Sequence, residues 1–246
     1  MSQMPASVVL SNKKLASRRF VFDTFKIREL KSKVISAFED KQEFNYNPSR
    51  VEVVAAFLWK CALKAFISRK RTFRPSIFIQ AVNLRPRMDP SLPQNAMGNL
   101  AWLFPLVVIE NEKDLEFVEL VKELMATRLS LKNKVKEFKG AGIVEALKES
   151  LKEREELLSN KMDYAVYICA SWCRCPLFET DFGWGKPAWI ISVVNHLMTN
   201  TIHLLDTKDV DGVEALVHLD EEEMNIFENI EDLLKFTSTN PSVSVI

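Results

Sequence analysis

The sequence is short of the residues on which many catalytic sites depend. Histidine occurs three times in 246 residues, cysteine four times and glycine six times. None of the cysteines forms a CxxC pair, so their spacing predicts neither a zinc ribbon nor a thioredoxin-like redox site. The sequence also has no Walker loop, dinucleotide fingerprint or GxSxG elbow. These absences exclude the common nucleotide-binding and serine-hydrolase motifs, and we predict no metal site.

Net charge and long apolar runs are lacking as well. The 33 basic residues balance the 33 acidic ones, so no overall charge attracts the chain to nucleic acid or an anionic membrane. The longest apolar stretch, 51–67, is interrupted by Glu52, Lys60 and Lys64 and fails the test of about 20 apolar residues for a membrane span. The first ten residues do not have the pattern of a secretory signal. With reduced thiols, a cytoplasmic protein that binds neither nucleic acid nor membrane is expected.

What the sequence does contain is an alternation of helices and strands. Periodicity predicts helices over about 24–38, 50–68, 113–159 (divided near Gly140 and Gly142) and 220–236. Alternating segments predict strands over 18–23, 74–84, 100–109, 163–172, 188–195 and 201–207, with 188–195 and 201–207 paired across a short turn. Segment 208–219 adds a turn at Asp211 and Gly212 and then another strand. The sequence therefore predicts an α/β domain over 21–236, with a mixed sheet backed by helices. A connector over 1–20 and a polar tail over 237–246 flank it.

The three histidines make poor candidates for a catalytic base. His203 and Asp206 are three apart in a predicted strand and so face opposite sides of the sheet. His218 is expected at an exposed strand end, before an acidic helix start that suits the helix dipole. His196 follows a predicted strand with apolar neighbours, and a structural role is the simpler interpretation.

The heptapeptide DFGWGKP, residues 181–187, combines an acid, two aromatic residues and two glycines. Gly183 and Gly185 allow the backbone to turn sharply on either side of Trp184. Phe182 and Trp184 are large enough to anchor the loop in a core, and Asp181 between them needs a basic or amide partner. A structural clasp is favoured, and a catalytic loop remains the alternative.

The wider sequence around this motif resembles the BAHD acyltransferases of plants, most closely the alkaloid-type O-acetyltransferases. The resemblance covers about residues 15–236 and is carried, in family order, by SRVEVVAAFLWKCALKA (49–65), QAVNLRPRMDPSLP (80–93), MGN (97–99), SWCRCPLFETDFGWG (171–185) and DGVEALVHLDEEEMNIFE (211–228). It implies a fold similar to chloramphenicol acetyltransferase, with this chain as the second of two domains. It also implies that the DFGWG motif of Asp181–Gly185 is structural.

One family motif is absent. In the family, the histidine of HxxxD in the first domain deprotonates the acceptor hydroxyl, which attacks an acyl-CoA thioester. Here His196, His203 and His218 are followed four residues later by Asn200, Thr207 and Glu222, so no catalytic residue is predicted. The resemblance implies that the HxxxD half is a partner, in the same polypeptide or in a separate chain. It also implies that Arg85 or Arg87 pairs with the aspartate of HxxxD.

The resemblance also suggests where the co-substrate, acyl-CoA and most simply acetyl-CoA, would bind. Ser49, Arg50, Gly98 and Asn99 match family regions near the coenzyme channel, and a helix N-terminus suits phosphate. A role of Ser49 only as a helix cap is the alternative, and both interpretations stay open. The sheet tip at 172–174 is a weaker candidate.

The sequence leaves two functions open, one catalytic and one of binding only. The chain is either the C-terminal half of an O-acyltransferase acting on a small-molecule alcohol, or an inactive paralogue that binds CoA, a small molecule or a relative. A folded remnant without function is the third possibility. SRVE at 49–52 has the pattern of a capping box, in which Ser49 caps the amide of Glu52 while Glu52 reaches back. The buried helix that follows and the intact DFGWG motif argue that the fold is retained.

Overall fold

A computed structural model of the chain describes residues 14–38, 47–136 except 89 and 94, 164–191, and 199–243 except 210, together with seven isolated positions between 145 and 156. The helices within these ranges are α1 (Thr24–Ser36), α2 (Arg50–Lys70), α3 (Phe117–Lys136), α4 (Glu221–Phe227) and α5 (Glu231–Phe236). The strands are β1 (Leu15–Phe22), β2 (Ser76–Asn83), β3 (Ala101–Ile109), β4 (Ala165–Ser171), β5 (Thr201–Asp206), β6 (Val213–Asp220) and β7 (Ser238–Thr239).

The seven strands of the described residues form one sheet in the order β3-β2-β4-β5-β6-β1-β7. The β2–β4 and β4–β5 pairs are parallel, and the other four pairs are antiparallel. The register of β2 against β3 shifts between Ile79 and Ala81. The mixed sheet backed by helices is confirmed.

Helix α2 is the centre of the hydrophobic core. It begins at a capping box, in which the Ser49 hydroxyl accepts the Glu52 amide and the Glu52 carboxylate accepts the Ser49 amide. Thirteen of its 21 residues are buried, since the sheet lies on one side and α1, α3, α4 and α5 contact its other sides. Such a helix needs apolar residues around most of its circumference, and this explains the weak helical periodicity of 51–67.

Two predicted elements and one predicted pairing differ from the structure. Strand β5 pairs with β4 on one side and β6 on the other, so the predicted pairing of 188–195 with 201–207 is wrong. Positions 188–191 are not in a strand, and 192–195 lie outside the described residues. The predicted helix 220–236 is two helices, α4 and α5. The break between them lets Phe227, Leu233 and Phe236 all reach the core.

The two ends of the predicted domain also differ in detail. Strand β1 begins at Leu15 rather than Arg18 and crosses the expected boundary at residue 20, because its full length pairs with β6. Strand β7 lies within the expected polar tail and pairs with Phe20 and Val21. The division into connector, domain and tail remains a prediction. The predicted helix division near Gly140 and Gly142 lies outside the described residues.

Candidate functional site

The topology of the sheet brings the predicted site residues to one end of it. Strands β2, β4 and β5 run in the same direction and end at Asn83, Ser171 and Asp206. Their antiparallel neighbours β3 and β6 start at this end, opposite Asn83 and Asp206. We call it the Asp206 end. The loop with Arg85, Arg87, Gly98 and Asn99, the loop with Asp181–Gly185, and the start of α2 with Ser49 and Arg50 all leave or meet it.

Asp206 connects two of these segments. Its Oδ1 lies 2.5 Å from Nη2 of Arg50, and its Oδ2 accepts the backbone amide of Arg174 at 2.6 Å. Asp206 is only 8% exposed, so both contacts are largely shielded from water and strengthened accordingly. Arg50 is expected near the coenzyme, and its Nη2 therefore already forms an ion pair within the chain.

Ser49 acts as a helix cap, as one of its two interpretations required. Its hydroxyl accepts the Glu52 amide at 3.2 Å. Glu52 is buried, and its other carboxylate oxygen lies 2.6 Å from Nε of Arg128 on α3. The capping network thus fixes the start of α2 against α3. The expected contact between Ser49 and coenzyme stays a prediction.

Arg85 and Arg87 hold the loop that precedes β3. Arg85 donates to the carbonyls of Ala96 at 2.9 Å and Gly98 at 2.6 Å. Arg87 donates to the carbonyl of Asn83 at 2.6 Å. Partial burial, and then the positive charge of Arg128, lower the pKa of Arg87. The structure therefore joins Arg85 to Gly98, while the expected pairing of either arginine with an HxxxD aspartate stays a prediction.

Gly98 has a φ of 120°, a conformation that only glycine adopts without strain. Apart from its chain neighbours, no atom of the described residues lies within 4 Å of where a Cβ would be placed on Gly98. Its backbone therefore presents an open surface beside the exposed Asn99.

The DFGWG segment is a compact turn closed by its own aspartate. Oδ1 of Asp181 accepts the amides of Gly183 at 2.7 Å and Gly185 at 3.1 Å. These bonds lower the pKa of Asp181, with Gly183 contributing most. Both glycines have positive φ, 102° and 108°, so the predicted double turn is confirmed.

The expected anchoring of this turn in the core is wrong for the described structure. Phe182 is 74% exposed and Trp184 83% exposed. Their rings stack on each other with centroids 5.7 Å apart, because the two glycine turns direct both side chains outward. The clasp is therefore local: Asp181 shapes the turn, and the aromatic pair projects from it.

Five of the twelve large apolar side chains that are exposed among the described residues lie in segments that leave the Asp206 end. They are Phe25, Met97, Trp172, Phe182 and Trp184. Exposed apolar residues that form a continuous patch usually mark contact surfaces.

His203 and His218 do not reach the Asp206 end. Their rings meet edge to face on neighbouring strands, with centroids 5.8 Å apart. His218 is 7% exposed, so the predicted exposed position is wrong. Strand β1 flanks it, and Ser17 Oγ lies 2.6 Å from its Nδ1. The predicted opposite faces of His203 and Asp206 stay a prediction, and His196 lies outside the described residues.

This buried histidine pair should make stability sensitive to acid. Burial, and then the charge of His203, lower the pKa of His218 to about 4, whereas an unfolded chain titrates near 6.5. Between pH 6.5 and about 4, the unfolded state therefore binds a proton at His218 that the folded state does not bind. The free energy of unfolding should be highest above pH 6.5 and fall between pH 6.5 and about 4. Urea denaturation of the wild type and His218→Gln at pH 7.5, 6 and 5 measures this slope, which should be shallower in the variant. Equal slopes would contradict the assignment.

The four cysteines are unpaired. Burial raises the pKa of Cys61 to about 12 and of Cys173 to about 11, so neither is an activated nucleophile. Among the described residues no group of three or more histidine, cysteine or acidic side chains is placed to bind a metal. No helix within the described ranges is both long and apolar enough to cross a bilayer.

The comparison with known proteins decides the family. The sequence profile of the Transferase family matches residues 1–234. The chain belongs to the BAHD acyltransferase family. It is 38% identical to akuammiline synthase 1 of Alstonia scholaris over 240 residues, which are 96% of this chain and 53% of that enzyme. It is 35% identical to deacetylvindoline O-acetyltransferase of Catharanthus roseus over 240 residues, 93% of this chain and 52% of that one.

The structural comparison agrees with this family. The crystal structure of vinorine synthase superposes with a TM-score of 0.69 at 30% identity, covering 94% of this BAHD chain and 49% of that one. The F. graminearum TRI101 structure with coenzyme A and deoxynivalenol superposes with a TM-score of 0.63 at 20% identity, covering 94% and 51%; this similarity concerns the fold. The BAHD chain spans about half the length of the relatives it matches.

Three residues of the candidate site were not predicted. From the sequence, Asp206 is considered only as a partner of His203 and Arg174 only as part of the sheet tip at 172–174, and Arg128 is not singled out within the predicted helix 113–159. The ion pair of Asp206 joins positions 156 residues apart. The sequence carried one usable signal for Asp206, which is a lone acid at the end of an apolar strand.

Proposed function

We propose that this chain is the C-terminal half of an acyl-CoA-dependent O-acyltransferase of plant specialised metabolism. The co-substrate would be an acyl-CoA, most simply acetyl-CoA, and the acceptor a hydroxyl of an alkaloid-like small molecule. The proposal includes the cytoplasmic location expected from the sequence. It is supported by relatives such as deacetylvindoline O-acetyltransferase and by the vinorine synthase fold.

The observation that carries the proposal is the grouping of residues at the Asp206 end. The start of α2 and the open backbone of Gly98 belong to segments that meet at this end of the sheet. An α-helix N-terminus favours the phosphates of a coenzyme. In the proposed complex Ser49, Arg50, Gly98 and Asn99 line the wall of the coenzyme channel that this chain supplies.

The proposed reaction requires a second half that carries HxxxD. Its histidine would take the proton of the acceptor hydroxyl, the hydroxyl oxygen would attack the thioester carbonyl, and the thiolate of CoA would leave. This chain would hold the coenzyme and present Arg85 or Arg87 to the HxxxD aspartate. The exposed Phe25, Met97, Trp172, Phe182 and Trp184 favour a covering partner at the same end.

The position of the histidines favours a second candidate, an inactive CoA- or small-molecule-binding paralogue. His203 and His218 lie on the β5–β6 pair and contact each other, away from the Asp206 end. This chain by itself therefore offers no described histidine as a base. Under this alternative it would bind CoA without transferring an acyl group.

Two measurements separate these functions. Isothermal titration of the purified chain with CoA should show binding under either one, and absence of binding would remove the support for both. Acetyl transfer from acetyl-CoA to a panel of alkaloid alcohols is then assayed with the chain alone and with a co-expressed HxxxD half of a related acetyltransferase. Transfer with both halves only supports the enzyme, and CoA binding without transfer supports the binding module. As a control, the HxxxD half is assayed alone.

A further inference from the structure

Asp206 is the point at which three segments of the candidate site are joined. Its two oxygens serve different elements, Oδ1 the Arg50 side chain at the start of α2 and Oδ2 the Arg174 amide after β4. Arg50 also donates from Nη1 to the carbonyl of Gly212 at 3.5 Å. The start of α2 and the loop after β4 are therefore bound by one carboxylate, and Arg50 links this carboxylate to the turn between β5 and β6.

Arg174 needs this support because its backbone is strained. Its φ is 67°, in the left-handed region that is unfavourable for a residue other than glycine. Such a conformation persists only where surrounding bonds hold it, and a carboxylate bound to a backbone amide is a strong bond of this kind. The bond to Asp206 thus fixes the backbone from which the exposed Arg174 side chain projects.

The turn on the other side leaves little room for adjustment. A Cβ on Gly212 would lie 2.7 Å from the carbonyl oxygen of Phe22 and 2.9 Å from the Thr207 side chain. Thr207 Oγ1 also accepts the Gly212 amide at 2.9 Å. Thr207 and Phe22 therefore restrict the position of Gly212. The Arg50 guanidinium in turn lies between the Gly212 carbonyl and Asp206.

We propose that Asp206 is a positioning residue of the coenzyme site, which holds Arg50 at the start of α2 and the Arg174 loop in their binding arrangement. This inference rests on the proposed function, since it concerns the same site. Asp206 itself need not touch the ligand. Its loss should weaken ligand binding by releasing the two segments.

The experiment compares Asp206→Asn with Asp211→Asn, an exposed acid in the adjacent turn. Asparagine removes the negative charge of Asp206, so it loses the ion pair with Arg50 and weakens the charge-assisted bond to the Arg174 amide. Breaking a charge-assisted bond of this type corresponds to about tenfold or more in an equilibrium constant. We expect Asp206→Asn to raise the Kd for CoA about tenfold and to speed hydrogen exchange at the Arg174 amide similarly. Asp211→Asn should change neither.

A purely structural role would give a different pattern. If Asp206→Asn lowers the melting temperature but keeps both the CoA affinity and the Arg174 exchange rate, the positioning role is wrong. Asp206→Glu, which keeps the charge, should restore part of the affinity. Combining Asp206→Asn with Arg50→Gln should weaken binding less than the sum of the two single changes.

Failure of the proposed function remains distinguishable. If the wild type binds no CoA, the proposed function loses its support, while the Arg174 exchange rates still decide whether Asp206 holds that loop. If Asp206→Asn does not fold, the wild type decides the point, because its Arg174 amide should exchange slowly despite the exposed residues around it. Rapid exchange there would overturn the inference.

Discussion

Replacing Trp59 with alanine should lower the free energy of unfolding by about 4 kcal/mol, since large aromatic-to-alanine changes in cores cost about 3–5 kcal/mol. Trp59 is fully buried in α2 and stacks on Phe78 of β2 with ring centroids 4.7 Å apart. Its Nε1 donates to Ser76 Oγ at 3.1 Å, and that hydroxyl donates to the Ala165 carbonyl at 2.9 Å. One side chain thus joins α2 to β2 and, through Ser76, to β4.

Urea denaturation followed by circular dichroism measures this loss. Trp59→Phe should cost less than Trp59→Ala, because it keeps ring contact with Phe78 and loses only the indole hydrogen bond. Trp172→Ala serves as the matched control, since Trp172 is largely exposed and should cost well under half as much. Equal losses at Trp59 and Trp172 would contradict the central position assigned to α2.

Replacing Arg69 with methionine should cost about 3–5 kcal/mol, the usual penalty for removing one partner from a buried ion pair. Arg69 lies at the end of α2 opposite the candidate site. Its guanidinium meets Asp220 at 2.8 Å, Glu222 at 2.6 Å and Glu223 at 2.9 Å. Asp220 and Glu223 are buried and Glu222 is exposed. Methionine would leave two buried carboxylates without this cation, while keeping most of the apolar contact of the side chain.

Lys70→Met is the control, because Lys70 is the exposed neighbour on the same helix and its removal should be nearly neutral. Chemical denaturation at pH 7 compares the two variants. Adding Glu223→Gln to Arg69→Met should recover part of the loss, since the second change neutralises one of the two buried carboxylates that lost the Arg69 cation. If the double variant is less stable than Arg69→Met, like-charge repulsion is not the cause of the loss.

Sequence patterns predicted the elements whose signals are local. The capping box at Ser49 and Glu52 depends on four consecutive residues and was predicted with its bonds. Strands β2, β4 and β6 alternate or are apolar throughout, and their predicted ranges overlap the observed ones closely. The turn at Gly183 and Gly185 followed from the conformational freedom of glycine. In each case the cause lies within a few residues of the effect.

The remaining errors arose where distant segments compete. Residues 188–195 have a strand-like composition, yet β4 and β6 already occupy both edges of β5. His218 was expected to be exposed because an acidic helix follows it, but β1 and β5 cover it from either side. Asp206 gained its importance only when folding brought Arg50 and Arg174 to it. Pairing partners of this kind are a property of the topology, which a local pattern does not encode.

The register shift between Ile79 and Ala81 has a consequence for how the sheet ends. β3 is an outer strand in the described part of the sheet. Its Leu106 pairs with Ile79 and its Leu103 with Ala81, so the register shift falls at the segment of β3 that contains Pro105. An open edge strand invites further strands to add to it and so promotes aggregation. Proline has no amide hydrogen, and an irregular register twists the edge. The hydrogen-bonding pattern that β3 presents to another chain is therefore interrupted. This interruption disfavours aggregation by strand addition at this edge of the described sheet.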